Sequence, residues 1–273
     1  MALRSAIINV MAMAADKAGK RLIRDFGEVE QLQVSRKGPA DFVSSADRKA
    51  ERILREALTH ARPDYTLLME ESGVTQGRDS RHRWIVDPLD GTTNFLHGIP
   101  HFCISIALER DGDIVAGLIY DPLKDEVFWA ERGLGAYVND RRLRVSERTQ
   151  LPDALFATGI PFLGVQDGAG HGRFLNQLGR VMAQCSGVRR LGSAALDLAY
   201  VAAGRYDGYW ENGLNSWDVA AGILLVREAG GQVTDIAGRT YRLGADDICA
   251  GNDQLHQPLR NLLREASPAN SDK

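Results

Sequence analysis

Three cysteines stand in 273 residues, Cys103, Cys185 and Cys249; they are far apart, odd in number and free of any CxxC spacing. That pattern excludes a disulfide framework and fits a reducing cytoplasm. No stretch reaches the roughly 18 apolar residues needed to cross a bilayer. There is no basic excess either: 33 Lys and Arg against 36 Asp and Glu leave a net charge of -3. No overall field would draw the chain onto nucleic acid or an anionic membrane, so any phosphate-bearing ligand must be held locally. Several phosphate chemistries are also missing. Gly133-Leu134-Gly135 lacks the third glycine of a dinucleotide fingerprint, and no Walker lysine pattern occurs. A Cys-x5-Arg nucleophile loop fails because that step from Cys185 ends on Leu191. A nucleophilic D-x-D pair fails because Asp87 and Asp90 are separated by two residues.

What is present is an ordinary globular composition, 44% hydrophobic and 25% charged, with a length between one and two domains at about 150 residues each. The start, from Arg4 through Ala6 to Ala15, has the charge and apolar run of a short signal peptide. Its apolar stripe of Ile7, Ile8, Met11, Ala15, Ala18 and Leu22 instead continues through Asp16, Lys17, Lys20 and Arg21, which predicts a helix over 4–26 stopped at Gly27. A second helix is predicted from Ser45 or Asp47 to about His60. Strands follow at 65–69, 84–86, 103–109, 114–120 and 126–130, with a hairpin turn at Arg110-Asp111-Gly112-Asp113. Beyond about 150 the pattern predicts helices at 171–185, 193–203 and 216–229 and a strand at 232–235. The reading is an α+β first half, 1–148, and an α/β second half, 149–265, sharing one cleft, with a disordered tail at 266–273.

The chemistry concentrates where Trp84-Ile85-Val86 runs into Asp87-Pro88-Leu89-Asp90-Gly91-Thr92. Pro88 stiffens the turn so that two carboxylates aim at one point. Gly91 lets backbone approach a ligand, and Thr92-Thr93-Asn94 can open a helix whose N–H groups bind phosphate. Carboxylates alone repel phosphate; hard cations between them remove the repulsion, and magnesium prefers such oxygen ligands. Taken alone, the segment reads equally well as two capping aspartates. Glu70-Glu71 after the strand ending at Met69, and Asp218 in the first turn of the helix from Ser216, add carboxylates enough for two or three magnesium ions.

Trp84 to Phe95, together with Trp217-Asp218-Val219-Ala220-Ala221-Gly222, resembles the paired signature motifs of the inositol monophosphatase family. Glu70-Glu71-Ser72-Gly73 is similar to its third metal motif, and Gly192 to Tyr200 with Gly204 to Gly208 to its substrate side, notably in the bacterial branch that includes the extragenic suppressor proteins. The likeness runs from about Lys37 to about Asn252. It implies a layered sugar-phosphatase fold, α+β and α/β with alternating helix and sheet layers, usually homodimeric, lithium-sensitive and acting on a small phosphorylated polyol. By resemblance, Glu70, Asp87, the Leu89 carbonyl, Asp90 and Asp218 are metal ligands. Thr92 with Asp47 activates water, with Glu70 also catalytic, and Leu89, Asp90, Gly91 and Thr92 cradle phosphate. Gly192, Ser193, Ala194, Glu211 and Asp218 hold the polyol side, with Arg189 as a substrate-side arginine. Glu211 can accept two hydroxyl hydrogen bonds, which suits inositol. Relatives of this fold also hydrolyse fructose 1,6-bisphosphate, histidinol phosphate or nucleotide 3'-phosphates, and a regulatory binding protein on the same fold is the alternative from another class.

Two further features are read as structural. His97 and His101 have helical zinc spacing, but Gly98 and Pro100 forbid the helix. Arg141-Arg142-Leu143-Arg144 is a solvated hairpin end.

Overall fold

A computed structural model describes residues 4–28, 34–38, 41–161 and 168–264; the tail read as disordered lies outside them. Helix α1 (Ala6–Phe26) starts two residues later than its periodicity suggests, because Ser5 caps it by accepting a hydrogen bond from the Ile8 N–H at 3.3 Å. Its stripe of Ile8, Met11, Ala15, Ala18 and Leu22 is buried, and each large apolar side chain so placed contributes about 1.5–3 kcal/mol. After the β1 (Val34–Gly38) and β2 (Asp41–Ser44) hairpin, α2 (Ser45–Ala61) packs beside α1.

The first sheet has eight strands: β3 (Tyr65–Met69), β4 (Gly73–Thr75), β5 (Asp79–Asp90), β6 (Cys103–Arg110), β7 (Asp113–Asp121), β8 (Glu126–Glu131), β9 (Gly135–Val138) and β10 (Arg141–Arg142). Their order is β10-β9-β8-β7-β6-β5-β3-β4, with β3 and β5 parallel and the rest antiparallel. The short helix α3 (Thr92–Leu96) lies between β5 and β6. The second sheet holds β11 (Leu155–Thr158), β12 (Gly187–Arg189), β13 (Gly208–Asn212), β14 (Gln232–Thr234) and β15 (Asp247–Gly251) in the order β12-β11-β13-β15-β14. It is mixed: β11 runs parallel to β12 and β13, while β15 is antiparallel to β13 and β14. Helices α4 (Gly168–Met182), α5 (Ala194–Ala202), α6 (Ser216–Glu228) and α7 (His256–Arg264), with a 3-10 turn at Leu151–Asp153, complete the described elements. The α4 bounds fall three residues before those predicted, leaving Cys185 outside the helix.

Strand alternation sorts the side chains into three cores and the elements into five layers. On β5, Trp84 and Val86 face α1 and α2, whereas Ile85 faces α5 and α6. On β13, Tyr209 joins that same central core, while Trp210 points to the third, beside α7. The central helices are therefore covered on both sides, and all nine residues of α5 are buried. This is why their sequences lack a polar stripe. They also approach closely, since a Cβ on Gly222 of α6 would collide with the Leu198 side chain of α5. Among the described residues no helix is long and apolar enough to cross a membrane.

Candidate active site

Parallel pairing of β3 with β5 sets Met69 against Val86, and the Glu70 N–H donates to the Val86 carbonyl at 3.3 Å. Glu70 thus stands beside Asp87. The sequence suggested that β5 stops at Val86; it continues to Asp90 instead, with one extra residue relative to β6 between the pairs Asp87–Ser105 and Asp90–Cys103. Residues three apart on a regular strand face opposite sides, and a bulge cancels that reversal. Pro88 occupies the bulge, where its missing N–H costs no ladder bond.

Asp87 is 2% exposed and accepts the Leu89 N–H at 2.9 Å. Burial pushes its carboxyl well above the usual carboxylate range, reinforced by Glu70, Asp90 and Asp218. Burial likewise moves Asp90 up to about 6, although Oδ2 accepts hydrogen bonds from the Ser193 hydroxyl at 2.6 Å and the Ala195 N–H at 2.8 Å, both of which favour the anion. In the first turn of α6, Asp218 accepts the Asn215 N–H at 2.6 Å, so it caps its helix; burial and then Asp90 raise its carboxyl well up. These acids destabilise one another's charged forms, a condition that cations relieve. Among the described residues no three His, Cys, Asp or Glu side chains converge as a finished cation cage. Magnesium binds through a few carboxylates and completes its shell with water and phosphate, so an open set of hard oxygens fits it.

Next to this set, the Thr92 hydroxyl lies 2.9 Å from Asp47 Oδ1 and 3.0 Å from the Leu89 carbonyl, two acceptors for its one hydrogen. Asp47 is fully buried in the first turn of α2. Gly91 adopts φ +94°, and a Cβ there would press on the His101 carbonyl at 3.0 Å. The turn into α3 is therefore laid directly on the backbone at the start of β6.

On the other wall, Gly192 has φ +84°. Ser193, expected on the polyol side, uses its hydroxyl on Asp90 and accepts the Leu196 N–H of α5 at 3.4 Å. Ala194 follows as the first residue of α5. Arg189 is exposed, and its guanidinium returns to the Val188 carbonyl at 3.3 Å. The Arg190 guanidinium instead leans over Gly192, and its positive charge favours the anion at Glu211. Glu211, partly accessible at the end of β13, is pushed up to about 7 by burial, against a hydrogen bond from the Tyr209 hydroxyl.

The motifs did not disclose the struts. Asn94 donates through Nδ2 to the His101 carbonyl at 2.8 Å and the Leu191 carbonyl at 2.7 Å, tying the two walls together. Glu51 of α2 accepts the Glu71 N–H at 2.9 Å and pairs with Arg55, fixing the turn after Glu70. Their partners are distant in sequence, so only a buried polar residue in a helix pattern could have hinted at them. Residues 97–101 form no helix; His101 is buried against Tyr200 and pushed down to about 4 by burial, then by Lys124.

A sequence profile described as the inositol monophosphatase family matches residues 3–268. A Mesorhizobium japonicum protein named inositol-1-monophosphatase is 60% identical over 96% of this chain and 97% of its own length. An Escherichia coli K12 protein named Nus factor SuhB is 42% identical over 96% of this chain and 98% of its own. The crystal structure of extragenic suppressor protein suhB from Bartonella henselae superposes with a TM-score of 0.92 at 59% identity, covering 96% of this chain and 99% of that one.

Proposed function

Because this chain belongs to the inositol monophosphatase family, we propose that it is a magnesium-dependent phosphatase that hydrolyses inositol monophosphate to inositol and phosphate by direct attack of water. The observation that carries this reading is the set of carboxyls from β5 and α6 that desolvation raises, with Glu70 beside Asp87 and the Thr92–Asp47 hydrogen bond next to the Leu89 carbonyl. Magnesium held by Glu70, Asp87, the Leu89 carbonyl, Asp90 and Asp218 would offset the phosphate charge and lower the pKa of water. Thr92 Oγ1, donating to Asp47, has lone pairs with which to accept a hydrogen bond from the attacking water and orient it in line with the ester bond. A new P–O bond forms from water as the ester P–O bond breaks, the proton released by the attacking water balancing the one the departing inositol oxygen takes up, with no phospho-enzyme. The Gly91 turn brings backbone to the phosphate, and Glu211 accepts hydroxyl hydrogen bonds of the polyol.

The test is phosphate release by purified protein from inositol 1-phosphate, fructose 1,6-bisphosphate and histidinol phosphate, with magnesium and with chelator. Magnesium-dependent release, fastest from inositol 1-phosphate, is expected; no release from any of them sinks the proposal, and preference for another ester moves the substrate. Lithium inhibition in the same assay and a homodimer by light scattering belong to this reading, as does a cytoplasmic location, checked by fractionation. The relative named Nus factor favours a second, regulatory reading, which gains if Asp90→Asn abolishes release yet leaves a cellular phenotype of gene loss complemented.

A further inference from the structure

The acid at the polyol wall occupies a seat made by three other residues. Strands β11 and β13 are parallel neighbours, with Thr158 opposite Trp210 and the Thr158 hydroxyl donating to the Trp210 carbonyl at 2.8 Å. Gly159, one step past the end of β11, therefore lies beside Glu211, one step further along β13. A Cβ built on Gly159 would overlap the Glu211 carboxyl, both oxygens included. Only a bare α-carbon leaves the acid room to lie across the strand end. Tyr209 and Glu211 are two apart on β13 and share a face, and the Tyr209 hydroxyl donates to Glu211 Oε2. Burial raises the Tyr209 phenol well above its ordinary value, so it stays a donor. On the α5 side, buried Asp197 has an Oδ1 without a hydrogen-bond partner, and Glu211 raises its carboxyl.

We propose that Gly159 and Tyr209 are positioning residues that set the specificity of the enzyme, holding Glu211 where a polyol hydroxyl meets it: Gly159 by offering no side chain, Tyr209 by its hydrogen bond. The proposal rests on the reading of Glu211 as the polyol acceptor. It makes position 159 the place where a leaving group rich in hydroxyls is favoured over one without them.

The experiment compares inositol 1-phosphate with p-nitrophenyl phosphate, which has no polyol hydroxyls, in the magnesium-loaded full chain. Gly159→Ala should raise KM for inositol 1-phosphate and lower its kcat/KM relative to p-nitrophenyl phosphate by about tenfold, the size of one lost hydrogen bond to a charged group. Tyr209→Phe keeps the ring and should shift the same ratio in the same direction. A double-mutant cycle separates positioning from damage. Glu211→Gln should cost its full ratio in the wild type and little more once Gly159→Ala is present. Additive losses, or an equal fall on both esters, overturn the proposal. Should Glu211→Gln alone leave the wild-type ratio unchanged, the polyol reading fails first; if it shifts the ratio while Gly159→Ala and Tyr209→Phe do not, only the positioning claim falls.

Discussion

The two sides of the candidate site are built on opposite principles. On the acid wall, Asp87, Asp90 and Asp218 crowd together and each makes its neighbours harder to ionise. On the polyol wall, Glu211 is held by a phenol and by an empty place at Gly159, and Gly192 by its turn. The first side carries more like charge than its own hydrogen bonds offset, which on the proposed reading cations would relieve; the second is set by hydrogen bonds and space. On the proposed function, the difference means that bond breaking and substrate choice should respond to different perturbations, and it can be broken at several points.

The largest effect belongs to Asp90→Asn, which removes the charge anchored by Ser193 and Ala195. Magnesium-dependent turnover of both inositol 1-phosphate and p-nitrophenyl phosphate should fall to background; a change confined to the KM of inositol 1-phosphate would erase the division between walls. Next, Thr92→Ala should lower kcat by about 10²–10⁴-fold, as loss of positioned proton transfer does, while KM for inositol 1-phosphate changes little. Initial rates on both esters check this, and a loss seen only for the polyol ester would move Thr92 to the other wall.

Asn94→Ala cuts the link between the walls and strands carbonyls of His101 and Leu191, at a cost of about 1–3 kcal/mol. Denaturant unfolding should register the lost stability, and kcat and KM should worsen together; a change in one alone would show that the walls are not joined there. The smallest effect is in pH. Folding raises Asp90 from the ordinary carboxylate range to about 6 and Glu211 to about 7. Between those limits the folded chain binds more protons than the unfolded one, so these groups stabilise at low pH and lose that contribution as pH rises through 6 and 7. Buried His101 and His256, both pushed down, act in the opposite sense. Taking the difference in Tm with and without magnesium cancels them, and that difference should grow from pH 5 to pH 8. A flat difference would mean that cations do not relieve the acid wall.

The acid wall was legible because its parts are either consecutive or placed at element ends. Asp87 and Asp90 flank a proline, Glu70 follows a β run, and Asp218 opens a helix, all visible in local patterns. The bulge was not, since an extra residue in a ladder is defined only by the partner strand. The layered fold could be read from apolar periodicity in α1 and α2 and from the family likeness, but α5 and α6 carry no amphipathic stripe because both faces are covered. Short strands such as β11 and β13 escaped for a related reason. Four or five residues with one buried face give too little alternation, and the seat around Glu211 joins positions 159, 197, 209 and 211 that no single motif contains.

The contact between Gly222 and Leu198 works as a gauge block for the catalytic centre. Helix α5 begins with the groups that grip Asp90, and α6 begins with Asp218. The spacing between those carboxylates thus depends on the bare α-carbon of Gly222, further along the same pair of helices. A single methyl at position 222 would press α5 and α6 apart and, on the proposed function, detune the gap that holds the ions without replacing a single acid.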